Sequence, residues 1–106
     1  MARNMLMVRI YLTEAEHGKK HTLINEIMAI LHDRHQVHGV TVFRGIAGFG
    51  AKGTVHSADL LRLSANLPLV VEFFDEERIV EAVLAALSNL VPAEHIVSWP
   101  IQCHSE

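Results

Sequence analysis

The stretch from Arg44 to His56 holds the residues of this chain that are best suited to bind an anion. Its sequence, Arg-Gly-Ile-Ala-Gly-Phe-Gly-Ala-Lys-Gly-Thr-Val-His, contains four of the chain's six glycines. Glycine lets a backbone approach a ligand closely, and successive exposed N–H groups form concavities that bind anions. Arg44, Lys52 and His56 add cationic or hydrogen-bonding side chains. The stretch predicts a loop that meets an anionic small molecule or a partner protein. The alternative is a long hairpin loop whose glycines only serve turns.

Two histidine-containing groups elsewhere carry weaker chemical signals. His32, His35 and His38 recur every three residues, a spacing that could ligate a metal, but the sequence fixes no carboxylate or cysteine beside them. Cys103 and His104 are adjacent, and neighbours in an extended strand point to opposite faces, which prevents a nucleophile–base pair. No acid pair or metal motif stands out. The sequence therefore predicts no catalytic residues and no metal site, and a protein that is not an enzyme.

Composition limits the class of protein. With 106 residues, 50% of them apolar, the chain is expected to form one domain, residues 1–106, that buries apolar surface between subunits. The net charge of −3 gives no general basic field for nucleic acid. Arg3 and Arg9 interrupt the apolar start of the chain, so neither a leader nor a membrane span is expected. We therefore expect a cytoplasmic protein that is not embedded in a membrane.

Hydrophobic periodicity predicts four strands and two helices that position the glycine-rich stretch. The strands are Met5–Leu12, Val40–Ile46, Pro68–Phe74 and His95–Ile101; the helices run from about Lys19 to His38, with Gly39 as the C-terminal stop, and from the N-cap Asp75 to just before Pro92. The order β-α-β-loop-β-α-β predicts an α+β, ferredoxin-like βαββαβ sandwich. Its four-stranded antiparallel sheet carries both helices on one face.

The connection between the two halves is unusually long. It spans about 20 residues, 47–67, where a hairpin needs two to five. Loops of this length in compact domains are usually functional or mobile. This length argues against the interpretation of the glycine-rich stretch as a simple turn.

The sheet face away from the helices should also be covered, because its predicted side chains form a mixed but fairly apolar surface for contact with water. They are Arg9, Tyr11, Thr41, Phe43, Glu72, Phe74 and Trp99. Self-association through this face is therefore expected. Glu72 is an isolated acid that needs a partner, and either Arg9 or Arg44 could supply it.

Three motifs give the chain a family resemblance. With Arg-Gly-Ile-Ala-Gly-Phe-Gly at 44–50, His-Ser-Ala-Asp-Leu-Leu-Arg-Leu-Ser at 56–64 and Leu-Pro-Leu-Val-Val-Glu at 67–72, it resembles the DUF190 family of PII-like proteins over most of its length. The resemblance implies a homotrimer whose 47–67 segment corresponds to the T-loop of PII signalling proteins. In PII proteins that loop reports the occupancy of a nucleotide pocket between subunits and docks onto a transporter, enzyme or regulator.

One connection departs from the PII pattern. PII proteins hold ATP phosphates partly through a loop with glycine and lysine between the second helix and the last strand, whereas here residues 88–95 contain no glycine, lysine or arginine. The resemblance therefore implies a smaller or differently held adenine nucleotide, such as a monophosphate or diphosphate. The ligand-binding groups would be the side chains of Arg44, Lys52, His56 and Arg62 and the backbone N–H groups of Gly45, Gly48 and Gly50.

Two rival functions stay open on the same fold. A small ferredoxin-like enzyme would need a buried pocket inside one subunit, with a perturbed acid or histidine in it. A metal-binding trimer resembling CutA would need the histidines to converge.

Overall fold

A computed structural model of the chain describes residues 1–13, 21–45 and 68–104. Its strands are β1 (Ala2–Thr13), β2 (Gly39–Arg44), β3 (Pro68–Asp75) and β4 (Ile96–His104). Helix α1 (His21–Met28) continues into a π-helical turn, Ala29–Arg34, and helix α2 spans Glu77–Leu87. A short 3-10 turn, Ala93–His95, precedes β4.

The four strands form one sheet in the order β2-β3-β1-β4, and each neighbouring pair is antiparallel. In this order β3 lies between β1 and β2, and β1 lies between β3 and β4. Each helix therefore belongs to a crossover that connects two parallel strands separated by a third. The predicted ferredoxin-like α+β fold is confirmed.

The core lies between one face of the sheet and both helices. Alternate residues of β1 and β3 are buried there, as their period of two predicts: Val8, Ile10, Leu12, Leu69, Val71 and Phe73. The helices bury Ile27, Ile30, Leu31, Val80, Val83 and Leu87 in the same cluster. Burial of these side chains, at about 1.5–3 kcal/mol each, supplies the main driving force for the fold.

The first helix ends differently from the sequence prediction. Its final turn is wide, since the N–H of Val37 donates to the carbonyl of Leu31 at 3.0 Å. After this turn the backbone of Gln36 is left-handed, with φ of 48°. Gly39, predicted as the C-terminal stop, is instead the first residue of β2. That prediction was wrong because the π-helical turn closes the helix before the chain reaches Gly39.

Asp75 was predicted to be the N-cap of the second helix, but that position belongs to Glu76. Asp75 is the last residue of β3, 1% exposed, and its carboxylate accepts the N–H of Glu76 at 2.7 Å and that of His38 at 3.1 Å. The Nδ1 atom of His38 lies 3.2 Å from the same carboxylate. One buried acid therefore joins the α1–β2 connection to the start of α2.

The last strand is longer than predicted. It continues to His104, so that Cys103 pairs with Arg3 in the sheet. Pro100 is tolerated because β4 is an edge strand, whose outer side needs no N–H for a neighbour. In the described part of the chain, no helix combines the length and apolar character needed to cross a membrane.

Candidate functional site

One end of the sheet gathers the described residues that bear on the predicted site. There β1 and β2 end, while β3 and β4 begin, with Thr13 opposite Pro68, Arg44 opposite Leu69 and Ile10 opposite Ile96. Gly45 and Pro68 flank the long connection at this end of the sheet. The antiparallel strand order thus brings both stems of that connection together.

Arg44 is the last residue of β2 and is exposed. Its cross-strand partner is Leu69, which faces the helices, whereas Glu72 pairs with Thr41. Because side chains alternate along a strand, Arg44 and Glu72 lie on opposite faces of the sheet. Within this chain Arg44 therefore does not pair with Glu72.

Gly45 follows Arg44 and lies against Pro68. Its N–H donates to the carbonyl of Pro68 at 2.8 Å. A Cβ atom placed on Gly45 would sit 2.5 Å from Cγ of Pro68, closer than real Cβ contacts allow. The absence of a side chain at this position is therefore what permits the close approach of the two strands.

The remaining predicted ligand-binding residues lie outside the described part of the chain. They are Gly48, Gly50, Lys52, His56 and Arg62. The 47–67 segment as a whole also lies outside it. For these residues, ligand binding stays a prediction.

The sheet face opposite the helices is the second feature of functional interest, and it carries the residues predicted for it. Tyr11 is 42% exposed, Phe43 46% and Trp99 38%. Arg9 lies at its centre, where Nε donates to Oε2 of Glu72 at 2.7 Å. This pairing settles the partner of Glu72 within the chain in favour of Arg9.

The environment of Arg9 adds a contact that sequence reasoning missed. Its guanidinium carbon lies 5.4 Å from the ring centroid of Trp99, within cation–π range. The hydrogen bond with Glu72, with a further contribution from Tyr11, raises the pKa of Arg9 above its ordinary value. Strand periodicity placed Arg9 and Trp99 on one face but could not show that β4 pairs with β1 in this register.

The histidines that the sequence singled out do not converge. Nδ1 of His32 lies 2.8 Å from its neighbour Asp33, while His38 lies beside Asp75 and stacks on Phe74 with ring centroids 5.7 Å apart. Within residues 1–13, 21–45 and 68–104, no group of three His, Cys, Asp or Glu side chains is placed to hold a metal ion.

His95, which sequence analysis did not single out, is partly buried beside the start of β4. Its Nδ1 is buried and has no hydrogen-bond partner in the described structure. Nothing in the local sequence indicates this, because the burial depends on how the 3-10 turn packs.

Comparison with known proteins gives a family match along nearly the whole chain. The model of the DUF190 family, described as "Uncharacterized ACR", matches residues 5–103. A UPF0166 protein of Methanocaldococcus jannaschii is 36% identical over 85 residues, which cover 80% of this chain and 77% of the relative.

Solved structures show the same fold at low sequence identity. CPII of Thiomonas intermedia K12, a nitrogen regulatory PII-like protein bound to ADP, AMP and bicarbonate, gives a TM-score of 0.67 at 19% identity. That match covers 100% of this chain and 99% of CPII. The divalent ion tolerance protein CutA1 of Ehrlichia chaffeensis gives a TM-score of 0.55 at 12% identity, covering 100% of this chain and 86% of CutA1.

Proposed function

The chain belongs to the DUF190 family, and on that premise we propose that it is a PII-like regulatory protein that forms a homotrimer. It binds a small anionic ligand, an adenine mono- or diphosphate, between subunits and signals through segment 47–67. The observation that carries this proposal is the position of Arg44. This exposed cation ends β2 where the long connection begins, at the end of the sheet where its two stems meet.

The nucleotides bound to the PII-like protein of Thiomonas intermedia support the choice of ligand. An exposed arginine suits a phosphate, since its planar guanidinium donates two parallel hydrogen bonds to phosphate oxygens. Lys52, His56, Arg62 and the N–H groups of Gly48 and Gly50 would complete the site.

The α2–β4 connection supports a mono- or diphosphate over a PII-style triphosphate. Residues 88–95 carry no lysine, arginine or glycine. Several of their N–H groups also donate inside the connection: those of Leu90 and Val91 to Leu87, and that of His95 to Pro92, all at 2.9–3.0 Å. These amides are therefore not available to bind phosphate oxygens. A third phosphate group would lack the cradle that this connection provides in PII proteins.

The open face of the sheet supports assembly. Tyr11, Phe43 and Trp99 present apolar area there, and Arg9 and Glu72 neutralise each other at its centre. Covering this surface with identical chains buries the aromatic area without leaving an unpaired charge.

Light scattering on the purified protein tests the assembly. Three copies of the 11.8 kDa chain should give a mass of about 35 kDa at micromolar concentration. A mass equal to one subunit would exclude a trimer held by the open face.

Thermal unfolding in the presence of AMP, ADP and ATP tests the ligand. A ligand that binds only the native state, at a hundredfold excess over its Kd, stabilises that state by about 2.7 kcal/mol. We expect ADP or AMP to raise Tm by several degrees and ATP to raise it less. The same scan with Arg44→Ala serves as the control, because the increase should shrink when the phosphate-binding cation is removed. No increase with any of the three nucleotides would contradict the proposed ligand.

Of the two rival functions, metal handling is the less well supported by the described residues. The likeness to CutA1 concerns the fold, and a metal-handling role would draw support only from converging histidines, whereas His32 and His38 lie beside different acids. The enzyme hypothesis requires a pocket with a perturbed acid or histidine inside one subunit. We propose a regulatory protein of the cytoplasm with no catalytic activity of its own. Segment 47–67 docks onto its target, which is a transporter, an enzyme or a regulator.

A further inference from the structure

The hydrogen bonds between β2 and β3 end at Gly45 and Pro68. The register that sets Arg44 opposite Leu69 sets Gly45 opposite Pro68, and the N–H of Gly45 donates to the carbonyl of Pro68 at 2.8 Å. Proline has no N–H, so it cannot return a hydrogen bond to the carbonyl of Gly45. The ladder therefore closes with this single bond.

Space, and not backbone conformation, is what requires glycine at position 45. A Cβ atom there would lie 2.5 Å from Cγ, 3.4 Å from Cδ and 3.5 Å from Cβ of Pro68. None of the glycines in the described part of the chain has a positive φ. The pyrrolidine ring is held to its own backbone and cannot rotate away as a flexible side chain would. Any side chain at position 45 must therefore push the ends of β2 and β3 apart.

We propose that Gly45 and Pro68 form a steric clamp that positions Arg44 for its ligand. This inference rests on the proposed function and assigns a role within the same site. Arg44 directly precedes Gly45 and pairs with Leu69, which directly follows Pro68, so a separation at the clamp displaces the guanidinium of Arg44. The N–H of Gly45 already donates to Pro68, so it is not free for a phosphate oxygen. Gly45 is thus a positioning residue and does not itself touch the ligand.

Gly45→Ala should impair ADP binding only in a protein that keeps Pro68. Gly45→Ala should weaken ADP binding about tenfold or more, as measured by titration calorimetry. Pro68→Ala, which removes the ring and keeps the glycine, is the reference for the double variant. The double variant Gly45→Ala/Pro68→Ala should recover affinity to within about threefold of wild type, because the added methyl group then meets no ring.

Gly39→Ala is a matched control on the same strand. A Cβ there would lie 3.7 Å from Cε1 of Phe74, an ordinary contact, so that affinity and Tm should stay close to wild type. A Gly45→Ala variant that binds ADP as wild type does would overturn the clamp. The clamp would also be overturned if the double variant Gly45→Ala/Pro68→Ala did not regain the binding that Gly45→Ala loses. That result would indicate that the ligand approaches Gly45 directly.

A measurement without ligand separates this proposal from the proposed function. Trypsin cleavage after Lys52 is measured without nucleotide. Its rate should differ severalfold between Gly45→Ala and wild type, and the double variant should return towards the wild-type rate. If wild type binds no adenine nucleotide, the proposed ligand fails while the cleavage rates still test the clamp. Equal cleavage rates in all four proteins would exclude it.

Discussion

Arg44→Ala should bind ADP ten- to hundredfold more weakly than wild type. The substitution removes a charge-assisted hydrogen bond to phosphate, which is worth about 1.5–3 kcal/mol. Calorimetric titration measures the affinity, and light scattering on the same samples measures the oligomer mass. We expect the mass to stay unchanged, because Arg44 is exposed and lies outside the buried core.

Arg78→Ala is the matched control for loss of positive charge. Its side chain, on α2, is 81% exposed, and a carboxylate oxygen of Glu76 lies 3.9 Å from the guanidinium. Because a solvent-exposed pair at that distance contributes little, both affinity and mass should stay near wild type. An equal loss of affinity in Arg78→Ala would show that general charge, and not the position of Arg44, attracts the nucleotide.

Glu72→Gln distinguishes a ligand-binding arginine from a structural one. Glu72 pairs with Arg9 on the open face, away from Arg44, so its substitution should weaken assembly. Affinity for ADP should then fall only as far as the trimer dissociates, because the proposed site lies between subunits. If Arg44 instead pairs with an acid of a neighbouring subunit, Arg44→Ala would break the trimer with little direct effect on affinity. A broken trimer with unchanged affinity would mean that the ligand site has been placed wrongly.

The second large effect is expected from Asp75→Ala, which should lower the free energy of unfolding by about 2–3 kcal/mol. The buried carboxylate accepts N–H groups of Glu76 and His38, and its loss leaves these donors without their acceptor. In a chain of this size the loss corresponds to a Tm decrease of about 10 °C or more. Denaturant and thermal unfolding at one protein concentration measure both quantities, because assembly makes Tm depend on concentration.

Two further variants sharpen this test. Asp75→Asn keeps one oxygen acceptor and should lose less stability than Asp75→Ala. Asp33→Ala removes an acid that is 71% exposed beside His32 and should change stability by less than about 0.5 kcal/mol. Asp75 closes β3 at the end of the sheet away from Arg44, so any surviving folded Asp75→Ala protein should bind ADP as wild type does. Wild-type stability of Asp75→Ala would show that water replaces this carboxylate at no cost.

The sequence by itself determined the fold and the family. Alternation along β1 and β3 identified the faces of Val8, Ile10, Val71 and Phe73, because a period of two is a direct consequence of strand geometry. The order of strands and helices then admitted few topologies, because crossovers are right-handed. The motif beginning at Arg44 indicated the DUF190 family, and the family model confirms it.

Only the tertiary structure decided which partners these residues have. The sequence offered two candidate arginines as partners of Glu72. The strand register shows that the partner is Arg9, because Arg44 lies on the other face of the sheet. Likewise, the sequence predicted Asp75 as an ordinary N-cap, yet Asp75 ends β3 and accepts the N–H of His38, which is 37 residues away in the chain. Sequence also offered a phosphate-binding role for Gly45, and only the approach of Pro68 from the next strand shows why no larger residue fits there. Local patterns fix which face a side chain occupies, whereas contacts between distant residues depend on register and packing, which no local pattern encodes.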